Sequence, residues 1–413
     1  MIRRAGSASA GRRPWLAVVA ACLAALPVIA DAQTAPSTAT PVTFTESELR
    51  QILSFGPWPP VPKRDPSNRA SGKPEAIRFG EKLFFSPKLS GKGDLSCASC
   101  HLPSQHWTEA KPRAIGAAPT DRNTLSLENV RLQRWFGWDG ASDNLWAQSI
   151  RPLVDPREMH STPADVADAV RKAPELAASY RRVFGKTVGR PGAITDEQVL
   201  VNLGKALAAF QETITSGRTP FDDFRDALAR GDLAAAASYP EPAQRGLRIF
   251  IGRGNCSVCH TGPAFSNGEF HDIGIPYFVA GGGVDSGRHA GLERLAHSRF
   301  NLLGPYSDDR ARRSATPVRH VMPQPRNFGE FRTPGLRNVA RTAPFMHNGR
   351  LATLCEVVKH YSELNEERLH SDGERILKPL KLDAGETRDL LAFLDSLSDR
   401  KSDGGAPPAS TCG

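Results

Sequence analysis

The sequence predicts a mainly α protein made of two copies of one unit. Three observations carry this. Amphipathic helical periodicity recurs along the chain while strand-like alternation is rare. A C-x-x-C-H motif occurs twice, at Cys97–His101 and Cys256–His260. A set of matching residues recurs at a constant offset of 209. The 413 residues suffice for two domains with separate cores, and 39% hydrophobic with 23% charged residues excludes general disorder.

From the N-terminus, Arg3, Arg4, Arg12 and Arg13 precede an apolar run over 15–29, and Ala30-Asp31-Ala32 offers a small-x-small cleavage site before Gln33. This is the order of a cleaved secretory signal over 1–32. The run falls short of the about 20 residues that a membrane span needs, and no later stretch is apolar enough, so an integral membrane protein is not expected. Removing the signal takes the formal charge from +9 to +6. Export, and the lack of a Lys/Arg run with interleaved aromatics, set nucleic acid aside. An acidic protein partner stays open.

Residues 33–70 read as an N-terminal extension, with a short helix over 44–55 that Gly56-Pro57-Trp58-Pro59-Pro60 stops. A first domain over 71–237 carries helical patterns at 74–85, 165–184 and 195–215. The stretch 234–242 reads as a linker. A second domain over 238–400 carries helices at 243–251, 351–364 and 384–397, with a Gly/Pro/Arg-rich loop insertion over 262–330. Residues 401–413 read as a flexible tail.

Six cysteines remain after the signal leaves with Cys22: Cys97, Cys100, Cys256, Cys259, Cys355 and Cys412. An even count in an exported chain first suggests disulfides. Four of them, however, sit in the two C-x-x-C-H motifs. Thiols at that spacing add to the two vinyl groups of one porphyrin, and the adjacent His, His101 or His260, then lies under the iron. A thioredoxin-like pair lacks its β-α-β context, and a zinc site would leave the His unused. Two covalent haem c groups in two cytochrome c-like domains are therefore expected. For Cys355, on a predicted helix, a buried free thiol is expected; pairing with Cys412 is the alternative.

The repeat reaches the sixth ligand. Thr124-Leu125-Ser126-Leu127-Glu128-Asn129-Val130 matches Thr333-Pro334-Gly335-Leu336-Arg337-Asn338-Val339, and Phe136-Gly137-Trp138-Asp139-Gly140 matches Phe345-Met346-His347-Asn348-Gly349. At the same offset Pro152 matches Tyr361. Proline has no donor atom, so the first haem can keep an open face. Tyrosine can bind ferric iron as phenolate and favours higher oxidation states. Tyr361 as a packed core residue is the competing reading. Met346, His347 and His360 are rival ligands for the second haem, as are His106, Met159 and His160 for the first.

These residues resemble the bacterial dihaem cytochrome c peroxidases, and within them the MauG-like branch. The similarity covers about 70–400. Its markers are Gly80-Glu81-Lys82-Leu83-Phe84-Phe85, Leu95-Ser96-Cys97-Ala98-Ser99-Cys100-His101, Trp138-Asp139-Gly140, Glu158-Met159-His160-Ser161-Thr162-Pro163, Leu336-Arg337-Asn338-Val339 and Thr342-Ala343-Pro344-Phe345-Met346-His347-Asn348-Gly349. The resemblance implies Glu158 as the acid–base group of a peroxide pocket, with Gln148 and Pro152 beside it and Trp138 between the haems. It implies Asn123, Thr342 and Pro344 around a bound calcium. Ordinary members place a His over the first haem in the loop that here reads Arg113-Ala114-Ile115-Gly116-Ala117-Ala118-Pro119, and use Met where this chain has Tyr361. Both departures are MauG-like and strengthen Tyr361 as a ligand. One departure is not: the surface tryptophan before the second motif is here Gly254.

The expected function is a periplasmic oxidoreductase. It activates H2O2 at an open high-spin haem and stores or relays oxidising equivalents through a His/Tyr haem, oxidising a protein or peptide. A peroxide scavenger fed by a small redox protein, and a non-enzymatic dihaem electron carrier, are the alternatives.

Overall fold

The computed structural model describes residues 42–188, 194–276, 278–279, 282–368, 372–373, 375–400 and Cys412. The predicted signal at 1–32, and the tail at 401–413 apart from Cys412, lie outside the described residues. Helices dominate. They are α1 (Glu46–Leu53), α2 (Pro74–Phe84), α3 (Leu145–Val154), α4 (Pro163–Lys172), α5 (Pro174–Phe184), α6 (Asp196–Gln211), α7 (Pro220–Ala229), α8 (Leu233–Ala236), α9 (Glu241–Ile251), α10 (Cys256–Cys259), α11 (Arg288–His297), α12 (Leu354–Ser362) and α13 (Ala384–Asp395). Among the described residues, the sheet is one antiparallel pair, β1 (Phe270–His271) with β2 (Phe331–Arg332), in the register Phe270↔Arg332. No described helix is long and apolar enough to cross a membrane.

Helix starts follow local chemistry. Thr195 caps α6 and Thr353 caps α12, each closing a capping box with Gln198 or Glu356 three residues on. Asn144 caps α3 through Ala147 N–H. Two apolar cores result. The first gathers α2 to α6 around Trp146, Tyr180, Phe79 and Phe84; the second gathers α1, α7, α9, α12 and α13 around Phe221, Phe250, Phe265 and Phe393. Each such buried ring contributes roughly 2–3 kcal/mol of apolar burial.

The same helix crossing is built twice. α2 lies on α6, and α9 lies on α13. At the first crossing a Cβ on Gly80 would stand 2.0 Å from the Ala206 carbonyl oxygen and 2.9 Å from Phe210 Cβ. At the second, a Cβ on Gly246 would stand 1.9 Å from the Asp389 carbonyl oxygen and 2.9 Å from Phe393 Cβ. Only glycine allows either approach.

The offset of 209 is structural. Asn129 and Asn338 both adopt left-handed backbone (φ 61° and 59°), as do Gly140 and Gly349 (φ 63° each). The bridge Phe136↔Ser142 recurs as Phe345↔Leu351. α3 and α12 begin at equivalent residues, Leu145 and Leu354. The halves also join symmetrically: Asn123 N–H donates to the His347 carbonyl and Arg332 N–H to the Trp138 carbonyl, both at 2.8 Å.

Several expectations are corrected. The helix expected over 165–184 is two, because Pro174 lacks an N–H and starts α5 instead of continuing α4. The 262–330 insertion is not all loop; Arg288–His297 forms α11, whose weak amphipathic pattern hides it. The stretch 234–242 is packed: Tyr239 stacks on Phe224 at 4.4 Å, and its hydroxyl meets Ser396 Oγ at 2.5 Å. α7 was not foreseen, and its Phe221, Phe224 and Ala227 join the second core, as do Ile52 and Phe55 from the N-terminal extension. Cys355 is not a free thiol: it forms a disulfide with Cys412.

Candidate active site

Each C-x-x-C-H motif ends in a part-buried, oriented histidine. His101 Nδ1 meets the Trp107 carbonyl and His260 Nδ1 the Phe265 carbonyl, both at 3.0 Å. The main chain of Leu125 reaches the first ring and that of Pro334 the second, again 209 apart. Burial lowers both imidazoles, His260 to about 4, so each stays neutral. Fixing Nδ1 leaves Nε2 as the available metal-binding nitrogen. Cys97, Cys100, Cys256 and Cys259 form no disulfide. Burial pushes Cys97, Cys100 and Cys256 up to about 12, far from the thiolate a reactive redox pair needs. The motif sulfurs suit covalent attachment.

A cavity of about 480 Å³ opens beside the first motif. Cys97, Cys100 and His101 line it together with Gln148, Pro152, Glu158 and Trp138. The residues predicted for the first site therefore converge. Pro152 sits inside α3, two turns from its start. Arg151 Nη1 donates to Gln148 Oε1 at 3.4 Å. The loop at 113–119 docks on the Glu158 segment: Ala117 N–H donates to the Glu158 carbonyl (2.8 Å) and Ala118 N–H to that of Arg157 (2.9 Å). A Cβ on Gly116 would stand 2.6 Å from the Glu158 carbonyl oxygen, so this close approach needs glycine. Burial, then repulsion from Asp155, raises the Glu158 carboxyl above its ordinary range, against Arg151 and Arg157. Glu158 also lies near enough to Cys97 and Cys100 to act on their thiols.

Tyr361 lies in the second half at the position in α12 that Pro152 holds in α3. Burial, and then the Cys256 and Cys259 sulfurs, push its hydroxyl well above the usual phenol range. The phenol therefore neighbours the second motif and keeps its proton unless a cation faces it.

The rival ligands separate. His106 Nδ1 faces Glu128 Oε1 at 3.1 Å, His160 is exposed with Nδ1 on the Pro156 carbonyl, and His360 Nε2 is on the Ile273 carbonyl at 2.9 Å. His347 is buried flat against Phe331, rings 3.5 Å apart, and burial drives it down to about 3. Met346 lines a smaller cavity. Met159 alone of the first-half rivals lines the large one.

The smaller cavity, about 260 Å³, lies where the halves meet; Asn123, Thr342, Pro344 and Trp138 all line it. Trp138 Nε1 donates to the Asn123 carbonyl at 2.9 Å. No cluster of three His, Cys, Asp or Glu residues able to hold a metal occurs among the described residues. A cation here would rest on carbonyl and amide oxygens, a hard donor set of the kind calcium takes.

Sequence reasoning missed a charge network on the large cavity's wall. Asp139 is fully buried, with Arg122 at 2.6 Å, Arg151 at 3.8 Å, and Arg294 in contact. Burial alone would raise its carboxyl; Arg122, Arg151 and Arg294 overcome this and hold it far below the usual range. Arg122 also forks onto Asp285 at 2.7 Å. Arg332 lines both cavities and was missed too, although continuing the repeat one residue upstream pairs it with Asn123.

Two attachment motifs with oriented histidines, set in equivalent halves that differ on the far side of each ring, define a dihaem c-type redox protein. Comparison agrees. The profile of the di-haem cytochrome c peroxidase family matches residues 74–230. The methylamine utilization protein MauG of Methylorubrum extorquens is 33% identical, over 82% of this chain and 81% of that protein. The cytochrome-c peroxidase IdrP1 of Pseudomonas sp. is 31% identical, over 86% and 87%. Among solved structures, a MauG-like protein associated with microbial copper homeostasis superposes with TM-score 0.61 at 26% identity, covering 84% of this chain and 96% of that one. The diheme peroxidase BthA from Burkholderia thailandensis shares the fold, with TM-score 0.65 at 24% identity over 84% and 92%. The chain belongs to the dihaem cytochrome c peroxidase/MauG family. It is a peroxide-dependent haem oxidoreductase with two haem c groups.

Proposed function

We propose that this is a periplasmic MauG-like enzyme that activates H2O2 in the first half, 71–237, and holds oxidising equivalents in the second, 238–400, to oxidise a protein or peptide substrate. One observation carries the reading: equivalent positions of α3 and α12 hold Pro152, which lines the open cavity, and Tyr361, which neighbours Cys256 and Cys259. When bound, the haems supply the two-electron reduction of peroxide and the storage of its oxidising power.

The chain's own residues do the rest. His101 and His260 would hold the two haem irons through Nε2, and Tyr361 would hold the second through its oxygen. Pro152 leaves the first site open. Gln148 holds peroxide by its amide. Glu158 accepts the proton of the inner peroxide oxygen and delivers it to the outer one, which leaves as water. Trp138, held by Asn123 and Arg332, lies on the electron path between the halves. Asn123, Thr342 and Pro344 hold calcium there. The Cys355–Cys412 disulfide favours an oxidising compartment.

A scavenging peroxidase fed by a small redox protein is the second reading, favoured by Gly254 and by the likeness to IdrP1. An electron carrier has no use for the proton shuttle at Glu158. Stopped-flow mixing of the diferric protein with peroxide separates the readings. A long-lived state oxidised at both haems is expected; rapid turnover with reduced cytochrome c favours the scavenger. As the base, Glu158 must be ionised, so the peroxide reaction should accelerate as pH rises through its raised pKa, above the ordinary glutamate value. Glu158→Gln should lose about 100-fold or more in rate, together with that inflection. Full rate in this variant would remove Glu158 from the mechanism.

A further inference from the structure

Arg332 stands at the join of the two halves and is only 2% exposed. Its N–H donates to the Trp138 carbonyl at 2.8 Å, and its Nε to the Gly137 carbonyl at 3.0 Å. Its Nη1 is buried with no hydrogen-bond partner among the described residues. A buried charged donor left unpaired costs more than the about 1–3 kcal/mol of a neutral one. Protein carboxylates do not repair this. Asp139 is the acid that acts on Arg332 electrostatically, and it is already held by Arg122, Arg151 and Arg294. Burial accordingly pulls the guanidinium down to about 10. The side chain lines the same cavity as Cys97, Cys100 and His101. A group attached there brings two carboxylates of its own, because a haem carries two propionates, and a guanidinium fork suits a carboxylate.

We propose that Arg332 is the anion-binding residue of the first haem site, pairing its free Nη1 with a propionate of the haem attached at Cys97 and Cys100. The inference rests on the reading of that cavity as a haem site. The pairing anchors the porphyrin edge to the backbone turn that carries Trp138, so one side chain fixes both haem and relay. It is one-sided: the repeat partner of Arg332 is the uncharged Asn123, whose Nδ2 donates to the Lys111 carbonyl instead. Arg332 is a positioning residue, and its cation also favours the reduced state of the haem it faces.

Spectroelectrochemical titration of the holoprotein tests this, comparing wild type with Arg332→Met and Arg332→Lys. Haem content is checked first, as two pyridine haemochromes per chain. Loss of the cation in Arg332→Met is expected to shift the first haem's one-electron equilibrium about tenfold toward the ferric form, which is about 59 mV. Arg332→Lys should recover part of it, and the second haem should move less. Unmoved midpoints in Arg332→Met with both haems present overturn the role of Arg332 alone. A chain loaded only at the second motif overturns the cavity reading beneath it. A crystal structure of the wild-type holoprotein stands even if the variants fail to fold: Nη1 on a propionate oxygen is expected, and Nη1 on another partner is fatal. Chloride or acetate should leave the wild-type spectrum unchanged. A saturable shift that Arg332→Met abolishes would assign the site to a diffusible anion and overturn the proposal.

Discussion

The two halves are built by the same devices and then differ at a few equivalent positions. Shared are the glycine helix crossing, the left-handed Asn129 and Asn338, and the helix starting at Leu145 or Leu354. Pro152 faces Tyr361 in the repeat, Asp139 faces Asn348, Trp138 faces His347, and Asn123 faces Arg332. The shared residues hold backbone geometry. In each differing pair at least one member lines a cavity, carries charge or neighbours a motif sulfur. The duplication thus fixes the scaffold, and chemistry is written on it by side chains at positions the scaffold leaves free.

The largest effect should come from exchanging the far-side residues. Tyr361→Phe removes the only oxygen the second half offers at that position. The second haem should change from a ligand-insensitive low-spin ferric spectrum to one that binds added cyanide or imidazole, leaving both haems open. An unchanged spectrum would mean that Tyr361 is core packing, and that the asymmetry lies elsewhere.

Next is the charge difference. Asp139→Asn leaves Arg122, Arg151 and Arg294 without their shared buried anion, and breaking such a pairing costs about 3–5 kcal/mol. Asn348 is partly exposed; its Nδ2 donates to the Pro276 carbonyl at 2.9 Å and its Oδ1 accepts from Arg350 N–H at 3.2 Å, a bond that an aspartate would keep. Asn348→Asp should therefore cost under about 1 kcal/mol, as surface substitutions do. Urea unfolding of both variants measures the contrast. Equal losses would show that the arginines are satisfied without Asp139.

Legibility followed sequence range. The C-x-x-C-H motifs and the repeat are strings of adjacent residues, so both sites and the architecture could be read directly. Glu158, Gln148 and Pro152 line one cavity; the repeat pointed to Pro152, and the family resemblance alone pointed to the other two. Arg332 and the Asp139 network stayed hidden because several of their partners are distant in sequence: Arg288 meets the Asp139 carbonyl 149 residues away, Arg294 its carboxylate 155 away, and Arg332 the Gly137 carbonyl 195 away. Arginines in a basic chain read as solvated surface. The Cys355–Cys412 bridge was misread for the same reason: spacing says nothing of proximity when a chain returns on itself. α11 was lost in a Gly/Pro/Arg-rich stretch, its apolar residues few and its burial against Trp135 and Phe270 invisible to periodicity.

The smallest contrast expected is at the two helix crossings. A methyl group on Gly80 or Gly246 meets a backbone carbonyl that no rotamer change can move, so α2 must shift on α6, or α9 on α13. Overpacking of this kind costs about 1–3 kcal/mol. Helix propensity returns up to about 1 kcal/mol when alanine replaces glycine. The two approaches, 2.0 and 1.9 Å, are nearly the same. Gly80→Ala and Gly246→Ala should then lower stability by similar amounts, about 1–2 kcal/mol each in chemical denaturation, with both haems retained. A loss at one crossing more than twice that at the other would break the equivalence of the halves at the contact where their backbones match best. It would also show that the surrounding cores, one around Trp146 and one around Phe393, yield to strain differently.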